Sequence, residues 1–149
     1  MLDGVTDVRN IGAIARSAVC CGAQALIIPD KGVGALNEET MKSSAGALEQ
    51  IYISRVNSLA QVVDTLHLNG IKVFTAEMYA PAKVFSIGFE EPCCIIMGNE
   101  EKGVQHFLSK AADGHFSIPI AGDFDSFNVS VAAGIILYEA MKQRIAANG

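Results

Sequence analysis

Three short segments gather the polar and glycine residues of an otherwise apolar chain, and chemistry is most readily placed there. The first is Asp7-Val8-Arg9-Asn10-Ile11-Gly12. The second is Gly98-Asn99-Glu100-Glu101-Lys102-Gly103, and the third is Ala121-Gly122-Asp123-Phe124-Asp125-Ser126-Phe127-Asn128. Just past the first, Arg16 stands among Ile11, Ala13, Ile14, Ala15, Ala18 and Val19. In so apolar a helix a lone guanidinium is costly unless paired. It either bridges to a structural carboxylate or turns its planar five-donor fork on a phosphate or another anion. Asn10 lies about 9 Å away along the axis at roughly 1.5 Å per residue, so both can border one cleft. Glu100 sits between Gly98 and Gly103. It either caps the chain locally or faces a ligand that the glycines admit close to the backbone. Ser126 suits plain N-capping, alone or alongside a functional role. It and Asn128 precede the small residues Ser130, Ala132, Ala133 and Gly134, which let another backbone pack close.

Other chemistries lack their patterns. Neither G-x-G-x-x-G nor a P-loop is present, because Lys102 and Gly103 stand in the wrong order for the latter. No Ser–His–Asp, Cys–His or paired-carboxylate arrangement occurs at useful spacing. The cysteines form two adjacent pairs, Cys20–Cys21 and Cys93–Cys94, and read as small buried hydrophobes in a reducing compartment. His67, His106 and His115 have no partner at ligand spacing, so no metal is expected.

The elements that must position these segments alternate strand with helix. Strands are expected at 2–5, 25–28, 51–56, 71–76, 93–97 and 115–120, the fifth a continuous apolar run of the kind buried in parallel sheets. Helices are expected at 11–21, 38–48, 59–68, 104–112 and 128–147, with Asn10 and Ser58 as N-caps and Gly22 and Gly70 as stops. Residues 31–37 read as loop and 78–91 as mostly irregular. The fold class is therefore α/β, a parallel sheet with helices on both faces. In such folds ligands bind at the carboxyl ends of the strands, and each of the three segments follows a strand and precedes a helix.

Length and composition fit one globular domain: 149 residues, 50% hydrophobic and 18% charged. A net charge of −5 argues against gripping nucleic acid by bulk electrostatics, so a local basic patch, a second subunit or a further domain would have to supply that grip. No apolar run reaches the roughly 18 residues of a membrane helix, and a cytoplasmic protein without membrane contact is expected.

Taken together, the three segments resemble a known family. Leu2-Asp3-Gly4-Val5-Thr6-Asp7-Val8-Arg9-Asn10-Ile11-Gly12-Ala13-Ile14-Ala15-Arg16 is similar to motif 1 of the SpoU (TrmH) class of SPOUT RNA methyltransferases. Ile96–Gly103 resembles motif 2, and Ser117–Gly122 with Ser126–Gly134 resembles motif 3. The resemblance implies an α/β fold with a C-terminal trefoil knot, S-adenosyl-L-methionine as methyl donor, and ribose 2′-O methylation of RNA. It also implies a homodimer whose active site draws on both subunits. By position it implies Asn10, Arg16, Glu100, Ser126 and Asn128 as active-site residues. Gly98, Ile118 and Phe127 are implied as cofactor contacts, with Thr75, Ala76, Ile120 and Gly122 as additions. Lys42–Ala47 and Thr75-Ala76 look closest to the branch that methylates a guanosine of 23S rRNA. A tRNA guanosine methyltransferase and a catalytically silent RNA-binding paralogue are the alternatives. Val8 stands where proline is usual, Phe127 where leucine is usual, and Asn99–Lys102 is unusually charged. Larger members carry an RNA-binding domain ahead of this one. Residues 1–149 are accordingly expected to be a catalytic domain without it.

Overall fold

Asp7 starts the first helix. Its backbone is extended and its carboxylate accepts a hydrogen bond from the Arg9 N–H at 2.9 Å, so α1 runs over Val8–Cys20. This corrects the expected cap at Asn10: an aspartate three residues earlier meets the orphan donors first. Asn10 therefore stands within the first turn with its side chain free to reach elsewhere. Gly22, left-handed at φ +78°, ends the helix as expected. Ile11, Gly12, Ile14, Ala15 and Ala18 form the buried stripe of α1, a helical spacing that leaves Arg16 exposed on the opposite side. The expectation of a guanidinium inside an apolar helix is thus corrected, and no desolvation cost arises.

The computed structural model describes residues 1–32 and 36–149, so part of the expected 31–37 loop lies outside the described residues. After α1 come β2 (Ala25–Pro29), α2 (Glu38–Ser44), β3 (Tyr52–Val56), α3 (Leu59–Leu68), β4 (Lys72–Ala76), β5 (Cys93–Gly98), α4 (His106–Ala111), β6 (Gly114–Phe116) and α5 (Val129–Asn148). The short β1 (Leu2–Asp3) opens the chain. Helix α2 stops four residues early, because Ala45 and Gly46 both turn left-handed before a 3₁₀ turn at Ala47–Glu49. The strand expected at 115–120 is also shorter. Ser117 leaves β4 and instead pairs with Lys83, its N–H donating to the Ala82 carbonyl while its own carbonyl accepts from Val84.

Among the described residues every strand pair is parallel. One ladder has the order β1-β5-β4-β6, and β2 pairs with β3. Side chains alternate between two cores, which is how a parallel sheet comes to be covered on both faces. Phe74, Met97, Leu2 and Ile28 join α1 and α5 on one face. Val73, Ile96 and Met1 join α3 and α4 on the other. Phe89 fills the first core, meeting Phe74 and Phe116 edge to face at 5.7 and 5.6 Å between ring centroids.

Helices α1 and α2 approach closely at Gly12, where a Cβ would overlap the Ser43 hydroxyl and the Thr40 carbonyl. Backbone cannot withdraw as a flexible side chain can. Gly12→Ala should therefore lower the unfolding free energy by about 1–3 kcal/mol. Urea denaturation checks this, and an unchanged midpoint contradicts it.

A second tie follows β4. Glu77 Oε1 accepts from the Thr75 hydroxyl at 2.7 Å and the Ser109 hydroxyl at 2.5 Å, with His115 Nδ1 at 3.3 Å. The carboxylate thereby clips β4 to α4 and β6. Burial pushes its pKa up. The hydrogen bonds from Ser109 and Thr75, together with His115, outweigh that and hold it below the usual carboxylate value. A depressed folded-state value means the stabilisation is present above the ordinary carboxylate range and is lost as pH falls through the folded-state value. The stability difference between the wild type and Glu77→Gln, measured by urea unfolding, should therefore shrink on acidification below that range. A difference constant with pH contradicts this.

Candidate active site

The 98–103 loop is fixed by its own residues before any ligand is considered. Asn99 and Gly103 exchange backbone hydrogen bonds at 3.2 and 2.8 Å, folding the loop back on itself. A Cβ on Gly98 would overlap the Gly103 backbone and the Val104 nitrogen, so only glycine fits beneath the fold-back. The Asn99 Oδ1 accepts from the Glu101 and Lys102 N–H groups at 2.8 and 3.0 Å, and its Nδ2 donates to the Gly4 carbonyl at 3.0 Å. Asp3, 2% exposed, accepts from the Gln105 backbone N–H at 2.7 Å and from its side-chain amide at 2.6 Å. These bonds pin the loop to the exit of β1, where α1 begins. Glu100 is thereby carried to α1, and Asn10 Nδ2 donates to its Oε1 at 2.9 Å across 90 residues of sequence. The bond joins the first polar segment to the second.

A cavity of about 540 Å³ opens beside this loop at the carboxyl ends of β4, β5 and β6 and against the start of α5. Of the residues singled out in sequence, Ala76, Gly98, Glu100, Ile118, Ile120, Ser126 and Phe127 line it. Thr75 is fully buried and reaches the cavity only through its bond to Glu77. Asn10 meets the rim through Glu100. Asn128 caps α5, its Oδ1 accepting from the Ser130 N–H at 2.9 Å and the Ser130 hydroxyl at 2.6 Å, so the capping considered for Ser126 falls to Asn128. Arg16 and Gly122 are exposed and do not line the cavity.

The structure adds wall residues that the motifs passed over, chiefly Glu77, Tyr79 and His115. Glu77 directly follows Thr75-Ala76 at a strand end, a signal that could have found it. His115 offered none, since its neighbours in space come from β4. The wall is mainly apolar, and its acidic side chains outnumber its basic ones: Glu77, Glu100, Glu101 and Asp125 stand against Lys102 and His115. Such a cavity attracts a compact cation and repels a polyphosphate. Among the described residues, no group of three or more His, Cys, Asp or Glu could hold a metal ion, and no helix is long and apolar enough to cross a membrane.

Comparison with known proteins gives the family and the fold. Residues 1–138 match the model of the SpoU rRNA Methylase family. The chain is 35% identical over 147 residues to the 23S rRNA (guanosine-2'-O-)-methyltransferase RlmB of Xanthomonas campestris, covering 99% of this chain and 59% of that protein. It is 38% identical over 145 residues to the RlmB of Ralstonia nicotianae, covering 97% and 58%. Among solved structures, the SpoU methyltransferase AviRb from Streptomyces viridochromogenes, in complex with AdoMet, superposes with a TM-score of 0.91 at 33% identity, covering 97% of this chain and 59% of that one. The A. aeolicus TrmH/SpoU tRNA modifying enzyme superposes with a TM-score of 0.90 at 27% identity, covering 99% and 75%. The chain spans about 59% of the length of the Xanthomonas relative. Its three loops, their parallel-sheet frame and the match over nearly all of its length make this chain a member of the SpoU rRNA methylase family.

Proposed function

We propose that residues 1–149 form the catalytic domain of an S-adenosylmethionine-dependent methyltransferase acting on the ribose 2′-hydroxyl of a guanosine in 23S rRNA. One observation carries this reading: a mainly apolar cavity at the strand ends bears an excess of carboxylates, with the bonded Asn10–Glu100 pair at its rim. S-adenosylmethionine brings a sulfonium and an ammonium against one carboxylate, a net positive charge, to that excess, whereas ATP or NAD brings phosphates. The volume lies within the roughly 300–1,000 Å³ of small-molecule pockets. Ala76, Gly98, Ile118, Ile120 and Phe127 would hold the cofactor, with Thr75 supporting the wall from behind and Gly122 on the approach. The family's C-terminal trefoil knot belongs to this reading, since it would bring loops distant in sequence around one cavity. The names of the RlmB relatives support the reaction and the substrate, and the AdoMet in the AviRb complex supports the donor.

When bound, the cofactor supplies an electrophilic methyl group on sulfur. The chain must hold the ribose hydroxyl in line behind that methyl and manage its proton, and positioning of this kind is worth about 7–11 kcal/mol. Asn10, oriented by Glu100, would hold the nucleotide at the rim. Arg16 is a poor base, because a guanidinium offers five N–H donors and no acceptor. Its fork serves better as a clamp on RNA phosphate or on the developing oxyanion. Arg16 lies outside the cavity of its own chain, which favours a homodimer whose active site draws on both subunits. Ser126 shapes the wall, and Asn128 fixes the start of α5 beneath it. An rRNA substrate would place the reaction in the cytoplasm.

A tRNA guanosine is the second reading, favoured by the likeness to a tRNA modifying enzyme. A silent paralogue is disfavoured by the presence of all five polar positions and by the bond between two of them. Incubating the protein with labelled S-adenosylmethionine and either 23S rRNA or tRNA should put 2′-O-methylguanosine in the rRNA. Label only in tRNA selects the second reading, and label in neither contradicts both. In the same assay Arg16→Ala should abolish transfer while calorimetry shows cofactor binding retained. Arg16→Lys should also fail, because a point charge does not reproduce the fork. Loss of cofactor binding in Arg16→Ala, or activity in Arg16→Lys, contradicts the clamp.

A further inference from the structure

The carboxylate of Glu77 is held in an unusual way for a cavity wall. All three of its close polar neighbours, the Thr75 hydroxyl, the Ser109 hydroxyl and His115 Nδ1, lie on Oε1. Among the described residues nothing engages Oε2. The backbone is equally fixed, with the Glu77 N–H donating to the Phe116 carbonyl at 2.8 Å and the Glu77 carbonyl accepting from Ala80 at 3.2 Å. The supporting hydroxyl is itself oriented. His115 Nδ1 lies 2.6 Å from Thr75 Oγ1, and with its proton on that nitrogen it donates there and leaves the threonine hydrogen to Glu77.

We infer that Glu77 is the ribose anchor of the nucleoside ligand, its Oε2 accepting hydrogen bonds from the vicinal 2′- and 3′-hydroxyls. This rests on the reading of the cavity as the S-adenosylmethionine site. An acidic side chain just past a parallel strand is a suitable partner for ribose hydroxyls, since a carboxylate accepts and never donates. The choice of diol over ammonium follows from the surroundings. Donors already compensate Glu77, whereas the side chains of Glu101 and Asp125 on the same wall carry no hydrogen bond among the described residues and are better placed for a cation. In Glu77→Gln the two hydroxyl donors would keep the amide oxygen inward. The NH₂ group would then face the diol, donor against donor.

Calorimetry with three ligands tests the inference: S-adenosylhomocysteine, 5′-methylthioadenosine, which lacks the amino-acid part, and 3′-deoxy-5′-methylthioadenosine. Glu77→Gln should weaken the first two by the same factor, about ten-fold or more for a hydrogen bond to a charged group. Removing the 3′-hydroxyl should cost the wild type about as much and cost Glu77→Gln nothing further. Weakening of S-adenosylhomocysteine alone assigns Glu77 to the amino group and overturns the inference. So does an equal cost of the 3′-deoxy change in both proteins. If Glu77→Gln does not fold, the wild type decides alone, since equal affinity for the two thioadenosines overturns the anchor. Wild-type protein that binds none of the three overturns the cofactor reading, and the anchor with it.

Discussion

The buried carboxylate of Asp3 and the side chain of Asn99 set the constraint on which the site depends. A carboxylate 2% exposed is costly without partners, and Gln105 provides two short hydrogen bonds from beyond the 98–103 loop. Asn99 then fills the gap between that loop and the Gly4 carbonyl. Hydrogen bonds to charged groups contribute about 1.5–3 kcal/mol each, so the two on Asp3 offset much of the loop-closure entropy of joining segments nearly a hundred residues apart. Its product is the Asn10–Glu100 bond, which local sequence could not create.

The parallel sheet turns that lock into a cavity. Because all strands run the same way, the exits of β1, β4, β5 and β6 share one edge of the sheet, and the loops that leave them meet there. The two cores on opposite faces keep the strands rigid behind it. Glycine does the finest positioning. Gly12 lets α1 seat against α2, and Gly98 lets its loop fold back to a depth no other residue permits. At Gly98 the close atoms are all backbone, and at Gly12 the Thr40 carbonyl stands beside the Ser43 side chain, so neither site yields as a flexible side chain alone would.

Much of this was legible in the sequence. Strand–helix alternation fixed the class of fold, and α3 matches the expected 59–68 helix with its Ser58 cap. The three polar segments do meet at one strand edge. The misses have local causes. Asp7 outcompeted Asn10 as the cap because both are good acceptors and the earlier one reaches the free N–H groups first. The small, apolar neighbours of Arg16 suggest burial, but alanines at 13 and 15 say little about which face is covered. The shortened β6 and the Glu77–Thr75–Ser109–His115 group depend on pairings across some 30–40 residues. No window of sequence carries such pairings, and His115 was therefore invisible as a wall residue.

The account stands on one electrostatic claim, that this strand-end cavity selects a cationic nucleoside over a phosphorylated one. Parallel calorimetric titrations of the protein with S-adenosylmethionine, ATP and NAD measure it directly. Saturable binding of S-adenosylmethionine, with no detectable heat from the other two at the same concentrations, is the predicted result. Tighter binding of ATP or NAD would contradict it.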